Sequence, residues 1–196
     1  MRIGIDIDHT LTDIQGELSL AMYEYAKSLG KAVGDRPAYI EDVKDDGRIY
    51  QEKYDFDYEE LYYFMNVIQE KIFNDATPRY GVHEALRKFK AEGDEIYIIT
   101  ARDTEFHKDP YLLSEAWLKS NNIPYDKLIV NVRNKVPVCV KEKINVFIDD
   151  KLSNCVNVSK VGIKAIQISS KRNSYDEIES FTNWEDIYNY IQTLKN

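Results

Sequence analysis

The chain alternates short, nearly continuous apolar runs with stretches whose apolar residues recur every three or four positions. The runs are "RIGIDID" (2–8), "EIYIIT" (95–100), "KLIVNV" (127–132), "INVFIDD" (144–150) and "GIKAIQIS" (162–169). Runs of this kind, rich in Ile and Val, fit parallel strands covered on both faces. The helical stretches lie between them. "GVHEALRKFKAEG" (81–93) spaces Val82, Leu86 and Phe89 by four and three, with Gly93 where a helix ends. "YLLSEAWLKSNN" (111–122) follows Pro110, and a helix expected in "NKVPVCVKEK" begins near Lys135. A last helix has Asn183 at its N-cap, Glu185 and Asp186 in its first turn, and Trp184, Ile187, Tyr188, Ile191 and Leu194 on one face. Strand and helix in alternation predict an α/β fold, a Rossmann-like parallel sheet flanked by helices with right-handed crossovers.

The gap between the first strand and "EIYIIT" is longer than one βα unit uses. Residues 13–77 are therefore expected to be an insertion, a mostly helical cap, on a core formed by residues 1–12 and 78–196. The insertion opens with a helical pattern, "GELSLAMYEYAKSLG", crosses the polar stretch "EDVKDDGR", and continues as "YDFDYEELYYFMNVIQEKIF". Tyr50, Tyr54, Phe56, Tyr58, Tyr62, Tyr63 and Phe64 crowd its second half. Most of these rings are expected in the cap's own core or at its interface, and a minority facing a substrate ring.

Composition narrows the function classes. The chain has 196 residues, 43% hydrophobic and 31% charged, which suits a globular domain with one elaboration. Its net charge of −8 disfavours a nucleic acid polymer as partner, because that affinity comes largely from Lys and Arg neutralising phosphates, and equally disfavours an anionic membrane. Cys139 and Cys155 neighbour apolar residues without zinc-like spacing and read as reduced, partly buried thiols. With no signal pattern ahead of the first strand and no apolar run of transmembrane length, the expected location is cytoplasmic.

Ligands of open α/β sheets bind beyond the carboxyl ends of the strands. Asp6, Asp8 and Thr10 stand at the end of the first strand, Thr100, Ala101 and Arg102 come after "EIYII", and Asp149 and Asp150 after "INVFI". Lys135 heads the helix just upstream of that fourth run. These groups suit phosphoryl transfer. Asp6 is placed to attack phosphorus as a carboxylate, and Asp8, two residues on, to act as acid and base. Two anions beside a phosphate call for a divalent cation, and Mg²⁺ prefers oxygen ligands: Asp6, the Asp8 carbonyl and an acid from Asp149–Asp150. Thr100 and the following N–H of Ala101 can bind phosphate oxygens, with Lys135 adding charge. Singly each feature has an ordinary reading, as turn chemistry or a helix N-cap region. Their order at the ends of strands in one sheet raises the odds.

In combination the motifs resemble the haloacid dehalogenase (HAD) phosphatase superfamily. "DIDHT" resembles its first motif, D-x-D-x-T, "IITAR" its second, Lys135 its third, with Lys141 and Lys143 as rivals, and "FIDD" its fourth. Within it, "IGIDID", "IITAR", "WLKSNNIPYDKLIV" and "VFIDDK" resemble the 5'(3')-deoxyribonucleotidase-like group and related bacterial nucleotidases. The resemblance implies Mg²⁺-dependent hydrolysis of a small phosphorylated metabolite, a nucleoside monophosphate, through phospho-Asp6, with Asp150 the main fourth-motif metal ligand and Asp149 beside it. His9 departs from the Gly or Asn of many relatives and is a candidate substrate contact, or else a solvated or packing residue. Sugar phosphates or other small phosphometabolites are the alternative substrates, and a catalytically idle HAD-like regulatory module is the alternative from another class. A response-regulator receiver fits the order of the motifs poorly, a true dehalogenase would not need Asp8, and a phosphomutase shares D-x-D.

Overall fold

The computed structural model describes residues 1–36, 53–169 and 178–195. "EDVKDDGR" and Tyr50 lie outside the described residues. Six parallel strands form one sheet: β1 (Arg2–Ile5), β2 (Glu95–Ile99), β3 (Lys127–Ile129), β4 (Val146–Asp149), β5 (Lys164–Ile168) and β6 (Glu179–Phe181), in the order β3-β2-β1-β4-β5-β6. The five expected strands are present, each shorter than its apolar run. The three-residue β6 was not foreseen, because "ESF" has too little apolar character to stand out.

Alternate residues of each strand feed two cores. Ile3, Ile5, Ile96, Ile98, Val146, Ile148, Ile166 and Ile168 face one layer, with Val82, Leu86 and Phe89 of α4 (Val82–Ala91), Trp117 and Leu118 of α5 (Pro110–Ser120), and Trp184, Ile187 and Ile191 of α8 (Trp184–Thr193). Tyr97, Ile99, Phe147 and Ala165 face the other, against Cys139 of α6 (Lys135–Lys141) and Cys155 and Val158 of α7 (Leu152–Ser159). Both cysteines are free and fully buried, as small apolar fillers of that layer. Gly4 lies on this second face, where a Cβ would stand 3.2 Å from Ile99, Ile144 and Phe147 side-chain atoms. The missing side chain lets Phe147 close over β1.

The helices start where the side chains dictate. Asn183 accepts the Asp186 N–H at 2.8 Å, Asp109 accepts Leu112 N–H at 2.9 Å one residue before Pro110, and Asn134 accepts Val136 N–H at 3.2 Å ahead of Lys135. Gly93, with φ of 82°, follows α4 in the left-handed conformation its position required.

Residues between β1 and α4 pack differently. Helices α1 (Gln15–Ser28), α2 (Tyr58–Tyr63) and α3 (Glu70–Asp75), the last two joined by a π-helical turn at Phe64–Gln69, bury Ile14, Leu18, Met22, Phe64 and Phe73 in a cluster that also takes in Leu113 of α5. Tyr54 and Phe56 belong to this cluster, whereas Tyr58, Tyr62 and Tyr63 are exposed. Asp57 and Glu60 close a reciprocal capping box that sets the start of α2. The two chain crossings between this cluster and the sheet run side by side, bridged at Thr12 and Pro78.

Trp184 ties the last helix to the loop after β1. Its indole N–H donates to the Thr10 carbonyl at 3.2 Å across 174 residues, and both residues are completely buried. Trp184→Phe retains most of the packing but leaves that carbonyl without its donor. The expected loss is about 1–3 kcal/mol, read as a lowered midpoint in urea unfolding.

Candidate functional site

Strand β1 is central, with β2 on one side and β4 on the other. The register places Ile5 opposite both Ile98 and Ile148, so the three chains leave the sheet together. Asp6 is the first residue beyond β1, still tied to the sheet by its N–H to Ile148 O at 3.0 Å. The expected groups therefore converge because the strand order reverses at β1.

Asp6 is buried, and so is Lys135. The Lys135 ammonium donates to Asp6 Oδ1 at 2.6 Å and to the Ile99 carbonyl at 2.5 Å. Asp6 Oδ2 receives no hydrogen bond from the described residues. Lys135 has been expected to touch phosphate; here it grips the carboxylate itself. The rival lysines, Lys141 at the far end of α6 and Lys143 beyond it, are exposed. Burial lifts the Asp6 carboxyl above its ordinary range, against the pull of Lys135. Burial works against the Lys135 charge too, yet the Asp6 and Asp149 carboxylates outweigh it and hold the ammonium above its usual value.

Asp8 behaves oppositely. Burial alone would raise it, but Arg102 holds it below the usual carboxylate range by charge and by two hydrogen bonds. Arg102 Nε donates to Asp8 Oδ2 at 2.9 Å and Nη2 to Oδ1 at 2.6 Å, a fork-on-carboxylate pair. The Thr100 hydroxyl, buried, accepts the Arg102 N–H at 3.2 Å. Ala101 between them is exposed.

On the other flank, Asp149 is buried, and both its oxygens are occupied: Oδ1 by Lys151 N–H at 2.8 Å and Oδ2 by Asn154 Nδ2 at 3.0 Å. Burial, then the charge of Asp6, pushes it up to about 7. Asp150 is only half-buried; its N–H donates to the Thr10 hydroxyl at 2.9 Å, and that hydroxyl lies 3.2 Å from Asp150 Oδ1. Of the two acids, Asp150 is the more accessible.

His9 occupies the left-handed region with φ of 60°. Arg79 holds it there: Nε and Nη2 donate to the His9 carbonyl at 3.2 and 2.9 Å, Nε also reaches the Thr12 carbonyl at 2.9 Å, and Nη1 pairs with Asp13 at 3.3 Å. The His9 ring is half-buried and its Nδ1 lacks a partner among the described residues. Burial keeps the imidazole below its usual pKa against the neighbouring acids.

The donor chemistry fits a hard divalent cation. Asp6 and Asp149 share one buried lysine, an excess of negative charge that oxygen-liganded Mg²⁺ would offset. Among the described residues no three His, Cys, Asp or Glu side chains form a ready-made cage. The available set is sparser: the Asp6 and Asp150 carboxylates and the Asp8 carbonyl, which suits an ion that keeps part of its water shell.

Sequence reasoning missed three supports: Arg79, Trp184 and Asn154. It named Arg102 only as a neighbour of Thr100. Each acts on a partner that only folding brings near, apart from Asn154, whose place in the first turn of α7 could have suggested a contact with Asp149.

The whole chain, residues 1–196, matches the family described as 5' nucleotidase, deoxy (pyrimidine), cytosolic type C protein (NT5C). A nucleotidase of Clostridium acetobutylicum is 27% identical over 99% of this chain and 95% of its own length. Among solved structures, a haloacid dehalogenase-like hydrolase from Xanthomonas campestris superposes with a TM-score of 0.64 at 14% identity, covering 99% of this chain and 95% of that one. A HAD-superfamily hydrolase from Ehrlichia chaffeensis gives 0.58 at 18% identity, covering 100% and 97%. A parallel sheet with acids at the ends of its central strands, and a family match that spans the full length, lead to one assignment: the chain belongs to the NT5C nucleotidase family, on a fold shared with haloacid dehalogenase-like hydrolases.

Proposed function

We propose that this chain hydrolyses the phosphate ester of a (deoxy)nucleoside monophosphate, with Mg²⁺ as cofactor and an aspartyl phosphate at Asp6 as intermediate. The observation that carries the reading is the Asp6 carboxylate: buried at the end of β1, held through Oδ1 by Lys135, with no donor to Oδ2 among the described residues. A carboxylate so held is fixed for attack and is shielded from competing water.

In the first half-reaction Asp6 Oδ2 attacks phosphorus and the bond to the ester oxygen breaks. That oxygen leaves with a proton from Asp8. In the second, Asp8 takes a proton from water, the water oxygen bonds to phosphorus, and the bond to Asp6 breaks. Inorganic phosphate departs and both carboxyls are restored. Thr100 and the Ala101 N–H are assigned to the transferring phosphoryl oxygens, and Lys135 offsets their charge from beneath Asp6. Asp6, Asp150 and the Asp8 carbonyl would hold Mg²⁺, with Asp149 behind them. Bound there, the ion would supply positive charge that offsets the carboxylates and the charge of the transferring phosphoryl group.

Residues 13–77 are assigned to a cap over a core of residues 1–12 and 78–196. The separate cluster around Phe64 and Phe73 supports this division, as do the paired crossings at Thr12 and Pro78. The family match favours a nucleotide over a sugar phosphate as substrate.

Phosphate release from a panel of 5'- and 3'-deoxynucleotides and sugar phosphates tests the reading. Deoxynucleotides are expected to be the best substrates. Chelation of divalent cations should abolish release and added Mg²⁺ restore it. Asp6→Asn is expected to reduce release to background, and Asp8→Asn to cut kcat/KM on a nucleotide by about 10²–10⁴-fold. Release unaffected by Asp6→Asn would end the proposal. A strong preference for sugar phosphates would remove only the nucleotide.

A further inference from the structure

We propose that Arg102 is a positioning residue for the acid/base Asp8: it fixes the plane of that carboxyl by a two-point grip braced against the ring of Phe73. The inference rests on the reading of Asp8 as the proton carrier and adds a residue to that reading.

The grip is geometrically complete. Arg102 Nε and Nη2 meet the two Asp8 oxygens at 2.9 and 2.6 Å, so the carboxyl can neither rotate nor swap oxygens without losing a bond. Each carboxylate oxygen has a second lone pair, so the grip leaves room for the transferred proton.

Arg102 is itself held from three directions. Its N–H donates to the Thr100 hydroxyl at 3.2 Å, and its carbonyl accepts the Asn131 N–H at 2.8 Å. Asn131, left-handed at φ of 61°, also takes the Thr104 N–H on its Oδ1 at 2.9 Å. These bonds fix the backbone between β2 and α5. The guanidinium then lies over the Phe73 ring, 4.2 Å from its centroid. Phe73 is buried in the cluster of helices α1 to α3, and His107 packs on it at 5.9 Å. The Arg102 side chain is 2% exposed, and its Nη1 is buried with no hydrogen-bond partner among the described residues. A buried guanidinium with one unpaired nitrogen is costly as packing alone. The Asp8 carboxylate and the Phe73 face are what it gains in exchange.

The arrangement crosses the boundary between the two clusters. Asp8 belongs to the loop after β1, Arg102 to the loop after β2, and Phe73 to α3. The orientation of the acid/base thus depends on how the helical cluster is seated against the sheet.

A purely structural ion pair and a positioning pair differ in one readout, the dependence on leaving group. A nucleoside monophosphate leaves as an alkoxide and needs the proton from Asp8. Nitrophenyl phosphate leaves as a stabilised phenolate and does not. The ratio of kcat/KM for the two esters reports the first half-reaction, up to phosphorylation of Asp6. Arg102→Lys keeps the charge and loses the fork. It is expected to lower kcat/KM by about 10²-fold on the nucleotide and by less than about 10-fold on nitrophenyl phosphate. Phe73→Leu, which removes only the ring face, should repeat the pattern with a smaller loss and serves if the arginine variant fails to fold. Equal losses on both esters, or no loss on either, would overturn the role of Arg102. Asp8→Asn is the reference. If it shows no leaving-group dependence, the acid/base reading of Asp8 falls, and this inference with it; if it does and the Arg102 and Phe73 variants do not, only this inference falls.

Discussion

The site depends on the buried contact between Lys135 and Asp6. An ammonium and a carboxylate, both shut away from water, are expensive to bury and are strongly attracted once there. That bargain holds only where both are fixed, and the fold fixes both. Asp6 is the first residue past the central strand and is still hydrogen-bonded to β4. Lys135 opens a helix capped by Asn134, and reaches back to the Ile99 carbonyl at the end of β2. The ammonium thus joins the ends of two neighbouring strands. Asp149, raised to about 7 by burial and by Asp6, completes a triangle of charge that favours a further cation.

Around this centre the two acids of "DIDH" have separate environments. Asp6 is lifted by burial and gripped through one oxygen; Asp8 is pulled down by Arg102 and gripped through both. The two carboxyls thus differ in how they are held, one through a single oxygen and the other through both. The loop carrying them is held at both ends. Trp184 fastens Thr10 from the last helix, and Arg79 fastens His9 and Thr12 from the second crossing. Arg79 thereby links the path of the chain into the helical cluster with the shape of the loop after β1.

Much of this was legible in the sequence. Strands that end on acids announced themselves as apolar runs halted by carboxylates, and their alternation with helices implied the parallel sheet. The caps at Asn183 and the stop at Gly93 are local chemistry and were readable as such. Side-chain partners were not. Arg102 reaches Asp8 across 94 residues and Trp184 reaches Thr10 across 174, and no local pattern encodes either. Helix α7 was missed because "LSNCVNVS" mixes small polar residues with two buried positions, Cys155 and Val158, too few to set a helical period. The aromatic stretch divides by burial: Tyr54, Phe56 and Phe64 are core, and Tyr58, Tyr62 and Tyr63 are exposed. Membership in that stretch did not distinguish them.

The central claim is that Asp6 carries the phosphoryl group in turnover. Trapping is the most direct measurement: quench the protein in acid during steady-state hydrolysis of a labelled nucleotide, digest it, and locate the label by mass spectrometry. The account predicts a phosphoryl group on the carboxylate of Asp6, lost on treatment with hydroxylamine. Sustained phosphate release with the label on another residue, or an Asp8→Asn variant that turns over nitrophenyl phosphate, whose leaving group needs no proton, without any phosphorylated Asp6 peptide, would contradict it.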